Sequence, residues 1–168
     1  EQGAAVANKF ASDPQIVGIM GHVFSGSTEA AIPIYEKAGI VMVSPSATNP
    51  TLTTIGSKVF NRVAFTDQMQ GEFAAQYIYE KLGVRKIVTM HDGGAYGQGL
   101  AAVTAEKFQA LGGTVLGTEA ITPGETDYSA PLAGVSALGP ELIYFGGYDA
   151  DAAVLVSQMA GAGLAGVQ

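Results

Sequence analysis

Short apolar runs alternate along this chain with longer segments whose apolar residues recur at helical spacing. That rhythm restricts the fold more than any other feature. Ile16-Val17-Gly18-Ile19-Met20 and Ile40-Val41-Met42-Val43 read as strands, as do residues 59–63, 86–90, 114–120 and 142–145. Residues 1–12, 27–38, 67–82, 97–111, 129–137 and 150–162 read as helices. Apolar strands separated by helices pair in parallel, with helices over the faces of the sheet. The expected fold class is therefore α/β, built on doubly wound parallel sheets. A polar loop, SPSATNPTLTTIGSK, follows the second strand, and an internal boundary is expected near residues 63–67.

Local signals sharpen some of these segments. Asp13-Pro14 stops the first helix, while Gly39 and Gly83 end the second and third. Ser27 or Thr28 is the expected N-cap of the second helix, with Glu29 in its first turn, where the helix dipole favours a carboxylate. Pro33 lies inside that pattern and predicts a late start or a bend, because a proline deep in a helix costs about 3 kcal/mol. Met69, Phe73, Tyr77, Ile78 and Leu82 form the expected apolar face of residues 67–82.

Composition removes several function classes. The chain has 168 residues, enough for one domain or two small lobes. No apolar stretch approaches the roughly 18 residues of a membrane span. A net charge of −7, with eight scattered Lys and Arg, disfavours a nucleic-acid partner. The absence of cysteine excludes disulfides, thiol catalysis and thiolate metal sites. The opening Glu1-Gln2-Gly3 runs straight into a helical pattern with no signal peptide, so the N-terminus reads as cut.

In open α/β sheets ligands bind beyond the carboxyl ends of the strands, so those ends are the places to look for a site. GHVFSGST (21–28) follows the first strand and Ser44-Pro45-Ser46-Ala47-Thr48 the second. His91 to Gly97 follow the fourth, and Gly146-Gly147-Tyr148-Asp149 the sixth. A nucleophile elbow needs Gly-x-Ser-x-Gly, and Ser25 is flanked by Val23 and Ser27 instead. His22 reads better as a hydrogen-bonded histidine at a strand end than as a base. His91-Asp92 invites a metal, but only two histidines are present and no further ligand cluster accompanies them. Gly97-Gln98-Gly99-Leu100-Ala101-Ala102 fits the dinucleotide fingerprint G-x-G-x-x-A, with Glu119 at the right distance. Six residues, however, separate its first glycine from Met90, where the fingerprint has it almost directly after the strand, which favours close packing of the helix over NAD binding.

A binding site accounts for these strand ends better. The N-terminus of the second helix suits an anion held by residues 25–28, and a carboxylate accepts several hydrogen bonds there. Ser46-Ala47-Thr48 offers a hydroxyl and free backbone carbonyls that match an ammonium. Tyr96 and Tyr148 supply flat walls with a polar tip. Each residue alone is better explained as loop capping; their joint occurrence at four strand ends favours a small zwitterion.

The segments IVGIMGHVFSGST, GIVMVSPSATNP, FNRVAFTDQMQG, DGGAYGQGL and IYFGGYDAD resemble, in order and along essentially the whole chain, the type I periplasmic binding proteins. Within these they are most similar to the branched-chain amino-acid (leucine/isoleucine/valine) binding proteins of ABC importers. The resemblance implies two α/β lobes with the ligand captured between them, no catalysis, no cofactor and no metal. It assigns Ser25 to the ligand α-carboxylate, Thr48 to carboxylate and ammonium, and Ser46 and Ala47 to backbone contacts. Tyr96 matches the tyrosine of a D-x-x-x-Y-G motif and Tyr148 that of a GGY motif that closes over the ligand. Residues 62–67 match the first crossover. Segments expected before residue 1 and after residue 168 have no counterpart, so the chain reads as two incomplete lobes, 1–65 and 66–168. The partners implied are an amino acid or small carboxylate, a membrane permease, and a second copy of the chain through exposed sheet edges. The location implied is periplasmic or extracellular, with a lipid anchor as one option. Two alternatives stay open, a ligand-sensing domain of a receptor or regulator and an NAD-binding enzyme domain.

Overall fold

A computed structural model describes residues 2–168; Glu1, the expected first residue of the opening helix, lies outside the described residues. The chain divides into two compact units, one running to Asp67 and one beginning at Gln68. Among the described residues no helix is long and apolar enough to cross a membrane.

The first unit runs α1 (Gln2–Ala11), β1 (Gly18–Met20), α2 (Ser25–Ala38), β2 (Val41–Ser44), α3 (Thr51–Thr54) and β3 (Phe60–Arg62). Its three strands are parallel in the order β1-β2-β3, with Met20 beside Val43 and Val43 beside Asn61. Side chains alternate across a sheet, so Ile19, Met42 and Phe60 share one face. They join a core with Ala7, Ala31, Ile32, Tyr35 and Leu52. The opposite face carries Met20 at 91% exposure and Val41 at 48%. Helices were expected over both faces; here they cover one, because α1 packs along α2 instead of across the sheet. Gly3 permits that approach, since a Cβ on it would stand 2.9 Å from the Ser27 backbone.

Helix α2 starts earlier than its pattern predicts. Its N-cap is Phe24, and neither Ser27 nor Thr28 caps it. The Thr28 N–H instead bonds the Phe24 carbonyl at 2.9 Å, and its hydroxyl turns back to the His22 carbonyl at 3.2 Å. Pro33 neither delays nor ends the helix; it is exposed, so the carbonyl it leaves unbonded faces water. Gly39 ends α2 at φ 68°, as expected. The short α3 is an addition to the expected loop. Asn49 starts it by accepting the Thr51 N–H at 2.8 Å and the Thr51 hydroxyl at 2.6 Å.

The second unit contains α4 (Asp67–Gln76), a π-helical turn (Tyr77–Lys81), β4 (Lys86–His91), α5 (Ala95–Ala110), β5 (Thr114–Ala120), α6 (Ser129–Leu138), β6 (Leu142–Gly146) and α7 (Asp149–Met159). The strands are parallel in the order β5-β4-β6. Val88 and Met90 pack with Tyr128, Leu132, Val135 and Leu155, while Ile87 packs with Ala75, Ile78 and Phe108. Both faces of this sheet are thus covered, the doubly wound arrangement. The buried face of α4 differs from the expected one. Met69 and Phe73 are 65% and 70% exposed, and Tyr77 and Leu82 are also exposed. Of the expected face only Ile78 is buried, and the small Gly71 and Ala75 are buried with it. Small residues are needed there, because a Cβ on Gly71 would stand 2.7 Å from the Val103 side chain of α5.

Candidate functional site

In the first unit the ends of β1 and β2 meet the N-terminus of α2. Ser25, the first residue of α2, is 2% exposed, and its hydroxyl accepts the Asn49 N–H at 3.2 Å. A hydroxyl that accepts in this way keeps its own proton to donate. Ser44 closes β2 and is fully buried. It donates to the His22 carbonyl at 2.5 Å and accepts the N–H groups of Ala47 at 2.9 Å and Ser46 at 3.3 Å. One hydroxyl therefore ties the end of β1 to the loop that follows β2.

Arg62, at the end of β3, grips the same loop from the other side. Its Nη1 donates to the Ala47 and Asn49 carbonyls at 3.2 and 2.7 Å, and its Nη2 to the Thr53 hydroxyl at 3.0 Å. The Asp67 N–H donates to the Thr48 carbonyl at 3.0 Å. The carbonyls of Ala47 and Thr48, expected to be free for an ammonium, thus already accept a hydrogen bond each. Ala47 is fully buried, whereas Ser46 is exposed and Thr48 half-buried. His22 is engaged away from Ser25: its Nε2 lies 3.1 Å from the Tyr35 hydroxyl, and burial pushes its pKa below the usual histidine value.

In the second unit β4 is flanked by β5 on one side and β6 on the other, so the chain reverses direction across the sheet at β4. The crevice at this switch point lies between the loops that follow β4 and β6. Tyr96, in the first turn of α5, and Tyr148, just before α7, come from those loops. Their ring centroids are 5.4 Å apart with planes tilted by 35°. Gly97 and Gly146 allow the underlying chains to touch, since a Cβ on Gly97 would stand 2.2 Å from the Gly146 carbonyl oxygen. The fingerprint glycine is therefore a packing residue between α5 and β6. His91 and Asp92 serve the turn before α5: His91 Nδ1 accepts the Gly93 N–H at 3.0 Å and Asp92 Oδ1 the Gly94 N–H at 2.8 Å. Among the described residues no group of three or more His, Cys, Asp or Glu has the arrangement to hold a metal.

The whole chain, residues 1–168, matches the family described as periplasmic binding protein. It belongs to that family. This periplasmic binding protein chain is 40% identical over 98% of its length to Leu/Ile/Val-binding protein homolog 1 of Brucella abortus, of which it covers 44%. It is 32% identical to a leucine binding protein, LivK, from Thermotoga maritima, with a TM-score of 0.89 over 98% of this chain and 47% of that one. LivJ from Streptococcus pneumoniae, solved in complex with isoleucine, is 29% identical, with a TM-score of 0.82 over 97% of this chain and 46% of that one. The chain thus spans somewhat under half the length of these relatives.

Three residues that shape the first half-site escaped the sequence patterns. Ser44 left a trace, a hydroxyl at the very end of a buried strand. Asn49 left another, an Asn-Pro pair with its capping potential. Asp67 left only an acid in the first turn of a helix.

Proposed function

We propose that this chain is part of the substrate-binding component of an ABC importer, and that it takes a branched-chain type of amino acid or a related small carboxylate. The observation that carries this reading is the Ser25 hydroxyl. It accepts from Asn49 at the N-terminus of α2, which leaves its proton for an anion where the helix dipole favours one. Thr48 and Ser46 lie on the loop that brings Asn49 to this hydroxyl, and the names of the relatives point to the same ligand class. Ala47 shapes that loop through its buried methyl and its bonds to Ser44 and Arg62. Tyr96 and Tyr148 form an aromatic surface for the ligand's remaining atoms. In this reading the protein acts without catalysis, on the periplasmic side, and delivers its ligand to a membrane permease.

Calorimetry with leucine on the intact protein tests the assignment. Ser25→Ala and Thr48→Ala should each weaken binding by about 1–3 kcal/mol, because each leaves a charged ligand group short of a partner. Unchanged affinity in both variants would refute it.

A further inference from the structure

Asp67 opens α4 and is fully buried, yet neither of its carboxylate oxygens has a hydrogen-bond partner. Its main-chain N–H bonds the Thr48 carbonyl at 3.0 Å, which brings the two residues together. Burial pushes the carboxyl above the usual range, while the neighbouring Thr48 hydroxyl and the Arg62 charge favour its ionised form. Arg62 is the charged group that faces it, but that guanidinium is spent on Ala47, Asn49 and Thr53. The Thr48 hydroxyl, on the residue that the Asp67 N–H already holds, is the remaining donor that favours the ionised carboxyl.

A hydroxyl has one proton and two lone pairs, whereas an ionised carboxylate only accepts. We infer that Asp67 is a positioning residue: it takes the proton of the Thr48 hydroxyl, so that Thr48 presents only lone pairs to whatever occupies the half-site. This rests on the reading above in placing a ligand against Thr48. Thr48 then selects a group that donates, such as a primary ammonium, and leaves a carboxylate to Ser25. Asp67→Ala removes the acceptor, which frees the threonine proton to point outward and reverses that preference.

Carbon-13 NMR titration of the Asp67 carboxyl in the intact chain, in Thr48→Val and in Thr48→Ser, tests the coupling without any ligand. Loss of the hydroxyl should raise the Asp67 midpoint by about one pH unit, and serine should restore it. A midpoint unchanged in Thr48→Val overturns the inference, as does a wild-type midpoint above neutrality. Calorimetry with leucine and with 4-methylpentanoate, which keeps the carbon skeleton and carboxylate but lacks the ammonium, tests the consequence. Asp67→Ala should weaken leucine about tenfold relative to 4-methylpentanoate; equal losses for both overturn the inference. Should the wild type bind neither compound, the proposed function fails, and the titration still decides the role of Asp67.

Discussion

Gly97→Ala should destabilise the second unit even though it improves a helix. A Cβ at this position stands 2.2 Å from the Gly146 carbonyl oxygen and 2.4 Å from Asp92 Oδ1, where ordinary contact begins at 3.4 Å. Neither neighbour yields freely. The Gly146 carbonyl accepts the Asp92 N–H at 3.2 Å, and Asp92 Oδ1 accepts the Gly94 N–H at 2.8 Å. Alanine gains about 1 kcal/mol over glycine in a helix interior. Against this, overpacking costs about 1–3 kcal/mol, and displacing the two hydrogen bonds costs about 1 kcal/mol each. The expected net loss is about 3 kcal/mol, or roughly 12–24 °C in melting temperature for a unit of this size. Gly134→Ala is the control: it lies in α6, and a Cβ there meets nothing within 4 Å. It should gain up to about 1 kcal/mol. Urea unfolding followed by circular dichroism measures both. If Gly97→Ala is as stable as the wild type while Gly134→Ala gains, the close approach of α5 and β6 is wrong.

Ser44→Ala removes the acceptor for two loop N–H groups and a donor to the His22 carbonyl. A loss of about 1–3 kcal/mol in urea unfolding is expected; an unchanged midpoint would contradict the bonding described. His22 is held below its ordinary value of 6.5 by burial, so the unfolded chain takes up a proton more readily there. Its contribution is fully present above that value and is lost as pH falls toward the depressed folded value. Thermal melts across this window should fall with pH in the wild type and flatten in His22→Gln. Asp67 has the opposite sign, because its folded value is raised above 3.8. The wild type should lose stability relative to Asp67→Asn as pH rises from 3.8 through the folded value; parallel pH profiles would refute burial as the dominant influence on this acid.

The fold was most legible in the strands of the second unit. β5 spans residues 114–120 as expected, and β4 and β6 differ from expectation by one residue each. In α4 the pattern misled, because large apolar residues at Met69, Phe73 and Tyr77 hold helical spacing as well as the small ones do. The neighbouring Val103 decides which set is buried, and no local pattern encodes that distance. Ser25 and Thr48 stood out as candidates because they carry hydroxyls just beyond the ends of parallel strands. The restraints that hold them span many residues: Ser44 to His22, Arg62 to Ala47, Asp67 to Thr48. Such long-range bonds leave no periodic trace. The same holds for the carbonyls of the 46–48 loop, which looked free until Arg62 and Asp67 were in place.

The contact between Gly97 and Gly146 bears directly on the two tyrosines. Tyr96 precedes one glycine by a single residue and Tyr148 follows the other by two. Both rings therefore grow from main chain that has no slack, and α5 cannot slide along β6 without a backbone collision. A ligand docking on this surface need not freeze a loop, so little ordering entropy opposes binding there. The same stiffness keeps the two rings in one mutual arrangement, whatever comes to lie against them.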